Sequence, residues 1–182
     1  MAASTWNIDP SHSAIAFTVR HMVVSKTRGR FTKWSGQLRF DPEDPAASSV
    51  EVNIEPGSID TADAQRDAHL RSPDFFDVEK FPGASFRSTK VEDRGGDRYR
   101  VTGDLTLRGV TRPVVLDVTY EGSGKDPWGG ERAGFSASTS LERKQFGLEW
   151  NKALETGGLL VGEKVDLTLE IEAIKQPAQQ AA

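Results

Sequence analysis

An all-β fold follows from three observations. Eight segments alternate apolar and polar residues, turn residues divide them, and almost nothing shows the period of a long helix. Tyr99, Val101, Gly103, Leu105 and Leu107 form one file of such a segment, and Arg98, Arg100, Thr102, Asp104, Thr106 and Arg108 form the other. The expected architecture is an extended, lipocalin-like antiparallel barrel of eight strands, just wide enough inside for side chains or one small ligand. What fills the interior then decides the function.

A short leading segment around Trp6 and Ile8 opens the chain. Strands are expected at about 13–21, 28–40, 47–56, 84–92, 97–107, 113–121, 131–142 and 163–174. In the first, Ile15, Phe17, Val19 and His21 share a face; in the second, Trp34, Gly36, Leu38 and Phe40 do; in the third, Val50, Val52 and Ile54. Phe31 is out of phase with Trp34, Leu38 and Phe40, so if both groups face inward an extra residue must intervene, as in a bulge. The fourth carries Phe86 and the fifth the file quoted above. Val114, Leu116, Val118 and Tyr120 continue the rule, followed by Phe135, Ala137, Thr139 and Leu141, then Val165, Leu167, Leu169 and Ile171. Pro10, Pro42, Pro45, Pro56, Pro82, Pro113 and Pro127 flank these strands, where a missing ladder donor is tolerated. Gly95-Gly96 predicts a two-residue hairpin.

Two insertions interrupt the meander. Ser58 to Asp77 predicts a short helix over about 61–71, capped by Asp60 or Thr61 and ended by Pro73, then Asp74-Phe75-Phe76-Asp77. The second is a long loop over about 143–163 that holds Phe146, Leu148 and Trp150. Connections of this length are commonly lids or binding loops. Residues 1–175 read as a single domain and 176–182 as a disordered tail.

With 23 basic and 27 acidic side chains and a formal charge of -4, the chain has no net attraction for phosphate backbones, so a nucleic-acid partner is not expected. The absence of cysteine excludes disulfides, thiol catalysis and thiolate metal sites. No stretch approaches the ~20 apolar residues of a membrane-spanning helix. The N-terminal residues carry neither a basic cluster nor an apolar run, which predicts a cytoplasmic protein.

Catalytic chemistry is hard to assemble. His12, His21 and His69 lack a close metal-ligand spacing, so no metal is expected. Ser11 and His12 are neighbours that would point to opposite faces of an extended segment, and no nucleophile elbow accompanies them. No carboxylate pair stands out for glycoside hydrolysis, and there is no phosphate loop or dinucleotide fingerprint. No catalytic residue and no cofactor are assigned. The inward aliphatic file fits a packed core or a lined cavity, and Gly36, Gly103 and Ala137 would leave room. Arg66-Asp67 fits a salt bridge or a head-group contact. The aromatics of the two insertions fit loop anchors, a lid or a subunit contact.

Several ordered strings carry a resemblance. They are Trp6-Asn7-Ile8-Asp9-Pro10-Ser11-His12-Ser13, Val19-Arg20-His21-Met22, Arg66-Asp67-x-His69-Leu70, Asp74-Phe75-Phe76-Asp77, Leu105-Thr106-Leu107-Arg108-Gly109-Val110-Thr111-Arg112-Pro113-Val114, Gly134-Phe135, Arg143 and Phe146-Gly147. From Trp6 to Ile174 the chain resembles the YceI-like family of lipocalin-like, polyisoprenoid-binding proteins. Lys125-Asp126-Pro127-Trp128-Gly129 and Trp150-Asn151-x-x-Leu154-Glu155 look like its leaderless, soluble branch. The resemblance implies a long apolar tunnel that holds a polyisoprenoid, a quinone tail or a fatty-acid-like amphiphile, in a protein that is often a homodimer.

The expected function is therefore binding, sequestration or carriage of one such lipid. Its tunnel would be lined by Phe17, Val19, Leu38, Phe40, Phe86, Leu105, Leu107, Leu116, Val118 and Phe135. His21 at the rim, Arg66 and His69 in the first insertion, and Phe146 and Trp150 in the second complete the candidate site. Two other readings stand beside it. One is an enzyme or accessory factor of isoprenoid or quinone metabolism, with His21 or His69 moving a proton. The other is a stress-related structural protein with a solid barrel.

Overall fold

A computed structural model describes residues 3–178. The strands are β1 (Ser4–Ile8), β2 (Ala14–His21), β3 (Ser25–Phe31), β4 (Trp34–Phe40), β5 (Ser49–Ile54), β6 (Ile59–Asp60), β7 (Ala84–Gly95), β8 (Arg98–Leu107), β9 (Val110–Lys125), β10 (Glu131–Glu142) and β11 (Val161–Lys175). One helix, α1 (Ala64–Arg71), interrupts them.

The sheet closes in the order β1, β4, β5, β7, β8, β9, β10, β11, with β11 returning to β1, so the wall is the expected antiparallel barrel of eight. The long β11 serves two partners. Its last residues pair with β1 (Trp6↔Lys175, Ile8↔Ala173), and its earlier ones pair with β2 (Ile15↔Leu169, His21↔Val161). Hence β1 and β2 are one position in the wall, split by the 3-10 turn Pro10–His12. β3 and β4, which pair with β2 and β1, are the next.

The strand expected over 28–40 is thus cut at Thr32-Lys33. Both backbone N–H groups of that dipeptide donate to Ser58 Oγ, at 3.1 and 3.0 Å, which satisfies donors the ladder has released. This is the physical form of the phase slip at Phe31. The two-residue β6 that follows Ser58 pairs with β3 (Phe31↔Ile59) and has no signature in the alternation.

Local chemistry departs from expectation at four further points. The helix begins later, because Asp63 is its cap and accepts from the Arg66 N–H at 3.0 Å. In the β7–β8 hairpin the tight turn is Gly96-Asp97, at φ 61° and 60°; Gly95 still pairs with Arg98. Pro113 lies inside β9 rather than beside it, opposite Asp104. It is tolerated there because β10 pairs with β9 only from Asp117 onward, so the proline nitrogen faces an unpaired edge. Gln176, placed in the expected tail, donates its backbone N–H to the Thr5 carbonyl at 2.8 Å. Residues 179–182 of that tail lie outside the described residues.

Buried side chains gather in two clusters along the axis. One surrounds Trp6, Ile8, Ile15, Leu38 and Val52; the other holds Phe75, Phe86, Val101, Leu105, Val114, Phe146 and Leu148. Two of the small residues expected to leave room do not. A Cβ on Gly36 would stand 2.6 Å from Ile8 Cδ1, and one on Gly103 would stand 2.6 Å from the Arg87 carbonyl and collide with the Phe86 ring. These glycines receive a neighbour's side chain; Ala137 alone of the three borders open space.

Candidate functional site

The bore of the barrel is hollow. An outer chamber of about 170 Å³ is walled by side chains from nearly every strand, among them Leu38, Phe40, Val52, Phe86, Tyr99, Leu116, Val118, Phe135, Ala137 and Ile171. Its far end is an aromatic group in which Phe40 meets Tyr120 at 5.0 Å, Phe135 at 5.2 Å and Tyr99 at 6.1 Å between ring centroids. Burial, then Asp93 and Asp97, push the Tyr99 phenol up, so it stays neutral. Polar lining residues occur at Arg39, Ser48 and Ser49, where β4 ends and β5 begins.

An inner chamber of about 140 Å³ continues the bore, lined by Phe17, Val19, Phe31, Ile59, Leu107, Leu141 and Val161 among others. Ile15, Ile54, Leu105 and Leu167 line both chambers. Together the two reach the lower end of ordinary ligand pockets, ~300 Å³.

The inner end is stoppered by the two insertions. Phe75 and Phe76 from the segment after α1, and Phe146 and Leu148 from the loop after β10, line this chamber. The loop is held in place by Arg143, which is 5 % exposed. Its guanidinium donates to the carbonyls of Leu148 (2.6 Å), Gly162 (2.8 Å), Trp150 (3.0 Å) and Val161 (3.3 Å). Burial pushes this guanidinium down from its ordinary range, with the Glu163 carboxylate opposing. The arginine thus replaces the backbone donors that a loop inside a barrel mouth cannot otherwise find.

The polar candidates of the first insertion stand apart from both chambers. Arg66 donates to the Thr61 hydroxyl (2.8 Å) and carbonyl (2.7 Å), while Asp67 accepts from the Thr61 N–H (2.9 Å) and hydroxyl (2.5 Å). The two side chains grip one threonine and do not pair with each other. Arg71 is spent on the carbonyls of Gly57 (2.8 Å) and Ile59 (3.2 Å). His69 contacts Asp74 at 2.8 Å and stacks edge-on against Phe75 and Trp150, at 5.1 and 4.6 Å. His21 and Trp150 likewise line neither chamber. The mouth residues that alternation could not flag, Arg39, Ser48 and Ser49, sit at the opposite end.

Ser11 and His12 also depart from expectation, because the chain there is a 3-10 turn and not extended. Asp9 accepts from Ser11 Oγ (2.6 Å) and meets His12 Nδ1 (2.9 Å), and Ser11 Oγ lies 3.1 Å from that same nitrogen. A nucleophilic triad needs serine and aspartate on different ring nitrogens, so this trio has the wrong order. The ligating atoms of Asp9, His12 and Glu172 lie within 4.8 Å of one another. A guanidinium already fills that space: Arg132 reaches Glu172 (2.5 Å), Asp9 (3.1 Å) and Asp126 (3.1 Å). The group ties the turn before β2 to β10 and β11.

The YceI-like domain family matches residues 6–173. A UPF0312 protein of Vibrio cholerae is 43% identical over 166 residues, which is 91% of this chain and 84% of the relative. The crystal structure of BcnA from Burkholderia cenocepacia superimposes with a TM-score of 0.81 at 27% identity, covering 91% of this chain and 98% of that one. A polyisoprenoid binding domain from Saccharophagus degradans, implicated in plant cell wall breakdown, shares the fold at TM-score 0.65 and 14% identity, with 94% and 98% of the chains covered.

Proposed function

The chain belongs to the YceI-like family, and from that premise we propose that it binds one long apolar amphiphile, a polyisoprenoid, isoprenoid quinone or acyl lipid, lengthwise in its bore. The observation that carries the reading is the pair of apolar chambers set end to end, which share Ile15, Ile54, Leu105 and Leu167 in their walls. Each methylene moved from water into such walls contributes ~0.8 kcal/mol, so a linear tail is held without specific hydrogen bonds. The head group stays at the rim beside Arg39, Ser48 and Ser49, which can donate to a carbonyl, hydroxyl or phosphate oxygen. A domain named for polyisoprenoid binding shares the architecture. Binding rather than turnover suits the wrong order of the Asp9, Ser11 and His12 contacts.

Native mass spectrometry of the protein purified from its own cells tests this. An adduct with the mass of a long apolar molecule, released by organic extraction, is the expected result. Preparations that are empty and fail to enhance the fluorescence of a dansyl-tagged long-chain fatty acid would refute it.

A further inference from the structure

We propose that the β2–β3 turn is a docking finger that seats the stoppered end of the barrel on an anionic lipid surface. Met22, Val23 and Val24 are 44 %, 58 % and 83 % exposed, and Leu159 of the neighbouring loop is 37 % exposed. The Met22 N–H donates to the Leu160 carbonyl at 2.8 Å, which makes tip and loop one patch.

The backbone gives a second reason to look here. In the three-residue loop between His21 and Ser25, Met22 and Val23 stand at φ 53° and 66°, in the left-handed region that Gly, Asn and Asp adopt most readily. A β-branched side chain is strained there. Polar turn residues would fold the hairpin better and would remove the exposed apolar surface, so the tip is shaped for contact and not for its own stability.

Charge selects the partner. Between Asp9 and Asp41 the chain holds no carboxylate but carries Arg20, Lys26, Arg28, Arg30, Lys33 and Arg39, in a protein of net charge -4. Arg20, Lys26 and Arg28 flank the tip, are exposed, and make no salt bridge among the described residues, although Asp166 of β11 lies close enough to Lys26 to feel its charge; Arg30 pairs with Asp60 at 3.6 Å. Lys152 on the adjoining loop adds a cation and Glu155 an acid. An apolar tip ringed by basic side chains is complementary to a leaflet of acyl chains beneath anionic head groups. The placement agrees: Val19 of β2 and Val161 of β11 wall the inner chamber, and β2 runs on from Val19 into the tip, beside the start of β11. Docking stands on the tip and the cations around it, independently of the function proposed above.

The test is co-sedimentation with phosphatidylcholine vesicles made with and without phosphatidylglycerol. The protein should sediment with the anionic vesicles and be released by salt. Val24→Asp should weaken sedimentation about tenfold or more. Arg28→Gln should weaken it roughly fivefold. Met22→Asn combined with Val23→Gly should abolish it while raising the melting temperature and leaving the dansyl fatty acid bound, which separates this proposal from the lipid-binding one. Trp128→Ala, at the other end of the barrel, should have no effect. The proposal is overturned if the wild type ignores anionic vesicles, if the double variant sediments unchanged, or if Val24→Asp acts by dissociating a dimer, which would make the tip a self-contact.

Discussion

Ala137→Phe turns the hollow bore into a measurable quantity. Ala137 faces the outer chamber, next to Val118 and Leu169 on the flanking strands. The substitution adds a benzene-sized group to a chamber of about 170 Å³. A cavity of ~150 Å³ is known to accept benzene in a folded protein, so the ring fits without displacing the wall. Filling a void stabilises a fold by ~0.5–2 kcal/mol. The same ring takes the place of roughly four tail methylenes at ~0.8 kcal/mol each, about 3 kcal/mol, which is on the order of a 100- to 200-fold loss of affinity. Stability and affinity should therefore move in opposite directions. Urea unfolding and titration with the dansyl-tagged fatty acid read the two separately. Unchanged affinity in a stabilised variant would mean the tail does not occupy this chamber, and a destabilised variant would mean the chamber is smaller than described.

The other predictions follow from the polar contacts and the close packing. Arg143→Met leaves the carbonyls of Leu148, Trp150, Val161 and Gly162 without their donor. It should cost about 3 kcal/mol and roughly 10 °C in melting temperature, read by calorimetry. His69→Gln removes edge contacts to Phe75 and Trp150 and should cost about 1 kcal/mol, with fatty-acid affinity unchanged, because the ring lines neither chamber. Gly103→Ala should lose about 1–3 kcal/mol in urea, since the Arg87 carbonyl cannot retreat. For acid sensitivity, the Ser11 hydroxyl, then His12, with Arg132 and the Ser11 N–H adding against burial, hold the Asp9 carboxyl far below its usual range. A depressed folded value means that stability is present in full above the unfolded aspartate value, ~3.9, and is lost as pH falls through the native one. The difference in urea midpoint between wild type and Asp9→Asn should be constant above about pH 5 and shrink in acid; a difference that grows in acid would refute this.

Alternation along the chain was enough to place eight apolar files, the two insertions and an inward face, because a period of two assigns every side chain to one side of a sheet. It also carried the phase slip at Phe31. Whether the inside was solid or hollow was not written there. Gly36 and Gly103 look like open space in sequence, yet Ile8 and Phe86 lean into them, while Ala137 opens on a void. A residue's size fixes the volume it brings, but strand tilt and rotamer decide which gap it fills. The same holds for the polar groups. Arg66, Arg71 and His69 have the chemistry of a mouth, but folding spends them on Thr61, Gly57, Ile59 and Asp74. Arg39, Ser48 and Ser49 reach the rim only because β4 and β5 end there, a meeting of distant residues that no local pattern encodes.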